Sequence, residues 1–308
     1  MHARAGRLKK KIGQVSKKVI SCNCILSGID LGPDTEKNIA YAAYFASGTG
    51  ATVRLLYIID YLLTPPAYLT SYIEQEKEKD EKEMERLRAL LNRLGVKSEF
   101  SVMLGRLHES FLKVIRETSA DLLVIGYKSH ILRPSSSERL IKSLAMPMLV
   151  VRGKYADKAS PGTVAIRKIL CPVDFSENSL KALSMAKGYA GLFSAELHIM
   201  HVIPSHMIRE RWEQWIKPRE KDRERFEEGL QAEASAKLAQ LRKEFQIPAE
   251  GEISQGTPAS LICSAADEGA YDMVVMGARG LSYLEGVLLG STTESVLKSS
   301  PCPVLIVH

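Results

Sequence analysis

No stretch of this chain approaches the ~18 consecutive apolar residues of a membrane-crossing helix. Its longest apolar runs, such as Leu122 to Ile125, have the length of strands. The N-terminus has neither the apolar core of a secretory leader nor a convincing cleavage site, so a cytoplasmic location with no membrane span is expected. Cysteines are few and odd in number: Cys22, Cys24, Cys171, Cys263 and Cys302 sit mostly in strand-like sequence. Cys22 and Cys24 are too close for an easy disulfide, and no second pair at metal-ligand spacing accompanies them. This argues against zinc and for reduced, buried thiols.

Acidic residues are missing from residues 1–18, where Arg4, Arg7, Lys9, Lys10, Lys11, Lys17 and Lys18 place seven positive charges. That extension carries the net charge of +6 and leaves 6 − 7 = −1 for the remainder. A near-neutral body gives no reason to expect a nucleic-acid partner. Residues 1–18 read as a basic flexible extension, with an arm for nucleic acid or anionic lipid as the alternative. Ile12, Val15, Val19 and Ile20 could give its end a weakly amphipathic helix. At ~150 residues per domain, a chain of 308 residues implies two domains.

What is present speaks most clearly near the C-terminal end, where GARG, nine residues and GST place Gly277, Gly280, Gly290 and Ser291. Glycine lacks the Cβ that would keep a backbone away from a ligand, and successive bare N–H groups near a helix start form an anion-binding nest. The strand-like YDMVVMG ends in Gly277, and STTESVLK from Ser291 to Lys298 reads as a helix with Ser291 or Thr292 as N-cap and Val296 and Leu297 inward. Strand, glycine loop and helix in that order point to a phosphate at a helix N-terminus. A flexible surface loop is the plainer alternative.

The chain also repeats itself. ILSGID at Ile25 to Asp30 matches ILCPVD at Ile169 to Asp174, VRLLYII at Val53 to Ile59 matches LHIMHVI at Leu197 to Ile203, and Gly105 matches Gly256. Asp121 falls on Asp272, Gly126 on Gly277, and the closing MPMLVV on CPVLIV. Continuous apolar runs alternating with helical segments indicate strands buried on both faces of a parallel sheet, with ligand loops at the strand C-terminal ends. Asp174, Val202 and Gly277 each lie at such an end, although Asp174 taken alone could be a turn or N-cap carboxylate. The expected organisation is an extension at 1–18, a first domain at 19–153, a linker at 154–163 and a second domain at 164–308. Ser71 to Leu94 and His206 to Phe245 read as charged helices, the latter bent or split at Pro218. Trp212 and Trp215 read as packing residues, with a partner-binding patch as the alternative.

Gly277, Gly280, Gly290 and Ser291, with PVDFS and HVI, carry a resemblance to the universal stress protein family that covers the chain from about Val19 to His308. The resemblance implies tandem α/β, doubly wound domains of the adenine nucleotide alpha hydrolase-like, Rossmann-like kind, each with five parallel strands. It also implies a site in the second domain for ATP, or for ADP or AMP. There Pro172 and Val173 would shape the adenine wall, Val202 would meet the base through its backbone and Met276 would line the site. Asp174 would lie beside ribose and phosphates, Gly277 and Gly280 would admit the phosphates, and Gly290, Ser291 and Thr292 would hold the distal ones. Arg279 could screen phosphate charge or simply face solvent. Mg²⁺ could be held by Asp174 only through water. In the first copy, Gly126 is followed by YKSHILRPSSSERL, which places Pro134 opposite Gly290 and Ser135 opposite Ser291 and lacks a counterpart of Gly280. A degenerate first site is expected, unless Ser135, Ser136 and Ser137 take a smaller anion.

A nucleotide-dependent stress-response switch with little turnover follows. With no Walker lysine, positioned histidine or second carboxylate, a slow Mg²⁺-dependent ATPase is the enzymatic alternative, and a ligand-free scaffold for an unknown protein partner is the third reading. No GxGxxG follows a strand, which excludes a dinucleotide Rossmann site. The resemblance further implies closing strands that meet as an intramolecular pseudo-dimer, with a homodimer open beyond it.

Overall fold

The structure, a computed structural model, describes residues 21–59, 70–127, 136–213, 221–249, 251–280 and 288–308. The readings of residues 1–18, Pro134, Ser135, Trp215 and Pro218 lie outside the described residues, as does the side chain of Ser136. What is described falls into two compact units. One comprises Ser21–Ala165 with Pro301–Ile306, the other Ile166–Ser300 with Val307–His308.

The first unit runs β1 (Cys24–Ile29), α1 (Thr35–Thr49), β2 (Thr52–Ile59), α2 (Thr70–Arg93), β3 (Ser98–Leu104), α3 (Leu107–Thr118), β4 (Leu122–Gly126), α4 (Ser136–Ile141) and β5 (Met148–Val151). The strands are parallel in the order β3-β2-β1-β4-β5. The chain's closing strand, β10 (Val304–Val307), adds antiparallel to β5, with Val304 opposite Val150 and Ile306 opposite Met148. The second unit repeats the pattern with β6 (Lys168–Pro172), α5 (Glu177–Phe193), β7 (Glu196–Pro204), α6 (Ser205–Glu213), α7 (Lys221–Phe245), β8 (Glu252–Gly256), α8 (Pro258–Glu268), β9 (Met273–Gly277) and α9 (Ser291–Ser299). Its strands lie parallel in the order β9-β6-β7-β8. The charged segment at 206–245 thus forms two helices, and Trp212 ties them by resting its ring 5.6 Å from that of Phe226.

Each unit opens on a strand that ends up between the second and the fourth of its copy. Such a strand is covered on both faces, and Ile25, Leu26, Ile169 and Leu170 are buried accordingly. The same carboxylate clamps both openings. Asp121 Oδ2 accepts the N–H of Asn23 at 2.7 Å and of Cys24 at 3.1 Å, and Asp272 Oδ2 accepts Arg167 at 2.7 Å and Lys168 at 2.9 Å. The matched aspartates of the repeat therefore secure strand entry, at the end of the sheet away from the ligand loops. All five cysteines are free thiols, and burial pushes that of Cys22 up to about 12. No helix among the described residues is long and apolar enough to cross a membrane.

In the first unit the chain leaves β5 through Gly153, at φ +84°, and runs against the backbone before β10. A Cβ on Gly153 would overlap the Pro301 carbonyl and stand 2.7 Å from the Cys302 nitrogen, while Tyr155 N–H donates to the same carbonyl at 3.1 Å. Gly153→Ala is therefore expected to lower stability in denaturant titration by about 2–4 kcal/mol, from left-handed strain plus overlap with backbone. An unchanged midpoint would show that the Pro301 backbone yields freely.

Candidate functional site

At the carboxyl end of β6 the strand stops because Asp174 turns the chain back on itself. Ser176 N–H donates to Asp174 Oδ1 at 3.0 Å, and this short loop sets Phe175 at φ +63°. Ser176 then caps α5, its hydroxyl oxygen accepting Ser179 N–H at 3.2 Å. The first unit builds the same turn at Asp30, with Gly32 N–H on Oδ1 at 3.0 Å and Leu31 at φ +51°.

The glycine loop comes to this turn from β9. Gly280 packs directly on Asp174, so closely that a Cβ at position 280 would overlap carboxylate Oδ2. Gly277 meets the first turn of α5 instead. A Cβ there would stand 2.8 Å from the Asn178 carbonyl carbon and 2.9 Å from the Ser179 nitrogen. Its missing side chain is a packing requirement of the strand end, whereas Gly280 opens the site. The two loop ends are tied together, since Gly290 N–H donates to the Ala278 carbonyl at 2.8 Å and Ala278 N–H donates to the Val307 carbonyl at 2.7 Å.

Gly290, with φ −78° and ψ 154°, is the N-cap of α9 and makes no side-chain cap bond. The N-cap therefore falls one residue before Ser291, because the Gly290 carbonyl already accepts Glu294 N–H at 2.9 Å. Two consequences follow for an anion. The Gly290 N–H is committed to Ala278, while the N–H groups of Ser291, Thr292 and Thr293 have no intrahelical acceptor and carry the positive end of the helix dipole. Ser291 is exposed and Thr292 half-buried, so these donors lie at the surface of the crevice.

The remaining expected residues sit behind this surface. Pro172, Val173, Val202 and Met276 are buried. Arg279 is half-buried within the loop, its Cα 3.4 Å from where a Cβ of Gly290 would be. Among the described residues no group of three or more His, Cys, Asp or Glu side chains gathers for a metal. Asp174 Oδ1 accepts Ser176 N–H, and Oδ2 packs on Gly280.

Sequence reasoning missed several participants. Thr293 is buried and donates its hydroxyl to the Gly277 carbonyl at 2.9 Å, fastening α9 to the end of β9. It stood in the STTE run, but only helical phase would have turned it inward. His201 reaches from β7 to the Val173 carbonyl at 2.7 Å and stacks obliquely on Phe175. In the first unit Tyr127 replaces Ala278: its N–H donates to the Val151 carbonyl at 3.2 Å, its hydroxyl donates to Glu138 Oε1 at 2.9 Å, and Arg152 covers its ring at 5.2 Å. The two units thus differ at this position: Ala278 is fully buried, whereas Tyr127 is half-buried and brings a ring and a hydroxyl bonded to Glu138.

His308 follows β10, and both its ring nitrogens are buried without a hydrogen-bond partner. Burial, reinforced by Arg279 and Lys181, pushes its imidazole down to about 4. The unfolded imidazole titrates near ~6.5, so the unfolded chain takes up the proton first and stability declines as pH falls from there through about 4. Denaturation midpoints measured across that window should show the decline, and His308→Phe should flatten it.

Comparison with known proteins agrees with this architecture. The model of the universal stress protein family matches residues 23–152 and again 165–308. A universal stress protein of Methanocaldococcus jannaschii, MJ0577, is 33% identical over 156 residues, which is 47% of this chain and 96% of that protein. One from Mycolicibacterium smegmatis is 25% identical over 302 residues, 92% of this chain and 96% of its own length. The crystal structure of a universal stress protein from Archaeoglobus fulgidus superposes with a TM-score of 0.67 over 94% of this chain and 97% of that one, at 23% identity, a likeness of fold.

Proposed function

The chain belongs to the universal stress protein family as a tandem, two-domain member, and on that premise we propose that its second copy binds ATP, ADP or AMP and acts as a nucleotide-dependent stress-response switch. The observation that carries the reading is the contact of Gly280 with the Asp174 carboxylate beside the open first turn of α9. One surface then offers a carboxylate for ribose hydroxyls and amide donors for phosphate oxygens. The residues fit that ligand: Ser291 and Thr292 supply N–H and hydroxyl groups, Gly280 lets the chain approach closely, and the backbones at Val173 and Val202 face the base. Arg279 adds positive charge to the loop.

Little turnover is expected, because phosphoryl transfer needs an oriented nucleophile and metal-held phosphates. Mg²⁺ bound with ATP would supply charge neutralisation, and Asp174 is the carboxylate placed to meet its water shell. The first unit serves structure or regulation, since its copy of the loop lacks a counterpart of Gly280. An intramolecular pseudo-dimer of the two copies, extended by association of two chains in the cytoplasm, belongs to the same reading.

Gly290→Pro tests the site directly. The native φ of −78° suits proline, but the ring removes the N–H that ties the loop to Ala278. ATP affinity measured by calorimetry should fall by about 10-fold or more, and an unchanged affinity would sink the assignment. The wild-type titration should saturate at one ATP per chain, since the first copy lacks a counterpart of Gly280. Two equivalents would contradict that asymmetry.

A further inference from the structure

The turn that carries Asp174 is braced from the neighbouring strand. His201 on β7 sets Nδ1 2.7 Å from the carbonyl oxygen of Val173. A carbonyl only accepts, so Nδ1 bears the proton and donates. The imidazole also lies against Phe175, ring centroids 4.6 Å apart and tilted by 43°, and Lys237 from α7 stands 5.5 Å over the Phe175 ring. Val173 is held at both ends, since its own N–H donates to the Met200 carbonyl at 2.7 Å. Phe175, which follows Asp174, stands at φ +63°, a conformation that costs energy for an L-residue bearing an aromatic side chain.

We infer that His201 is a positioning residue for the nucleotide site: its donated hydrogen bond fixes Val173 to Phe175, so that the Asp174 carboxylate rests on Gly280 and the base-side wall is formed before a ligand arrives. The inference rests on the nucleotide reading above. Preorganisation of this kind strengthens binding by removing the ordering that a ligand would otherwise impose. The first unit provides an internal comparison. It repeats the aspartate turn with Asp30 and a left-handed Leu31, but its strand carries Tyr57 in the register of His201. The imidazole brace accompanies the unit that carries the glycine set. Its burial favours the neutral ring, with the help of Lys237 and against the pull of the Val173 carbonyl and of Asp174, and the Nδ1–H that donates to Val173 is present in the neutral Nδ1–H tautomer as in the cation.

The test is calorimetric titration of ATP into the wild-type chain, His201→Leu and His201→Asn, with a long-range proton–nitrogen spectrum of the ligand-free wild type to read the imidazole tautomer. Leucine removes the donor and should weaken ATP by about 10-fold, whereas the asparagine amide can replace Nδ1–H and should stay within about 3-fold of wild type. The spectrum should show the Nδ1–H tautomer, a readout that does not depend on any variant folding. Wild-type affinity in His201→Leu, equal losses in the two variants, or an Nε2–H tautomer would overturn the brace while Gly290→Pro still reports on the site. Absence of ATP binding by the wild-type chain would overturn the nucleotide reading and this inference together.

Discussion

The carboxylate of Asp174 occupies the space that a side chain at position 280 would need. Everything else at the carboxyl ends of β6 and β9 maintains that arrangement. A parallel sheet whose first strand lies inside sends its turns apart at one point and leaves a crevice there. The crevice becomes a single surface only if the two turns are locked in register. Ser176 N–H holds one carboxylate oxygen, Gly290 N–H closes the loop onto Ala278, and the Thr293 hydroxyl fastens the helix to Gly277. Each tie consumes a polar group that would otherwise compete for a ligand. What remains unbonded within α9 is its first turn of N–H groups, which is where the helix dipole is most positive.

Much of this was legible because glycine spacing and apolar runs report backbone requirements, which are local. The two parallel repeats, the strand-end aspartate and the loop from Gly277 to Ser291 were all readable in that way. The individual glycines were less so. Gly277 and Gly280 look alike in sequence, yet one is excluded from bearing a Cβ by the start of α5 and the other by Asp174, and only three-dimensional neighbours distinguish them. The N-cap was misplaced by one residue for a related reason. Serine and threonine are the favoured caps, but here the first intrahelical bond is accepted by the Gly290 carbonyl, while the Gly290 N–H is tied to Ala278. His201 and Tyr127 escaped notice because each acts on an element distant in sequence, His201 28 residues from the carbonyl it holds and Tyr127 11 residues from its carboxylate.

The two copies show how the same turn can be put to different thermodynamic use. In the first unit, the Tyr127 hydroxyl donates to Glu138 and Arg152 covers the Tyr127 ring. In the second, the matching position is the fully buried Ala278, and the donors at the start of α9 are satisfied by water or by whatever anion binds. A ligand that binds only the folded form adds RT ln(1 + [L]/Kd) to stability, about 2.7 kcal/mol at a hundredfold excess over Kd. An anion held there would thus act on α9 of the second unit. A difference between occupied and empty forms is what a switch needs, whereas a catalyst must keep its site formed through release of every product.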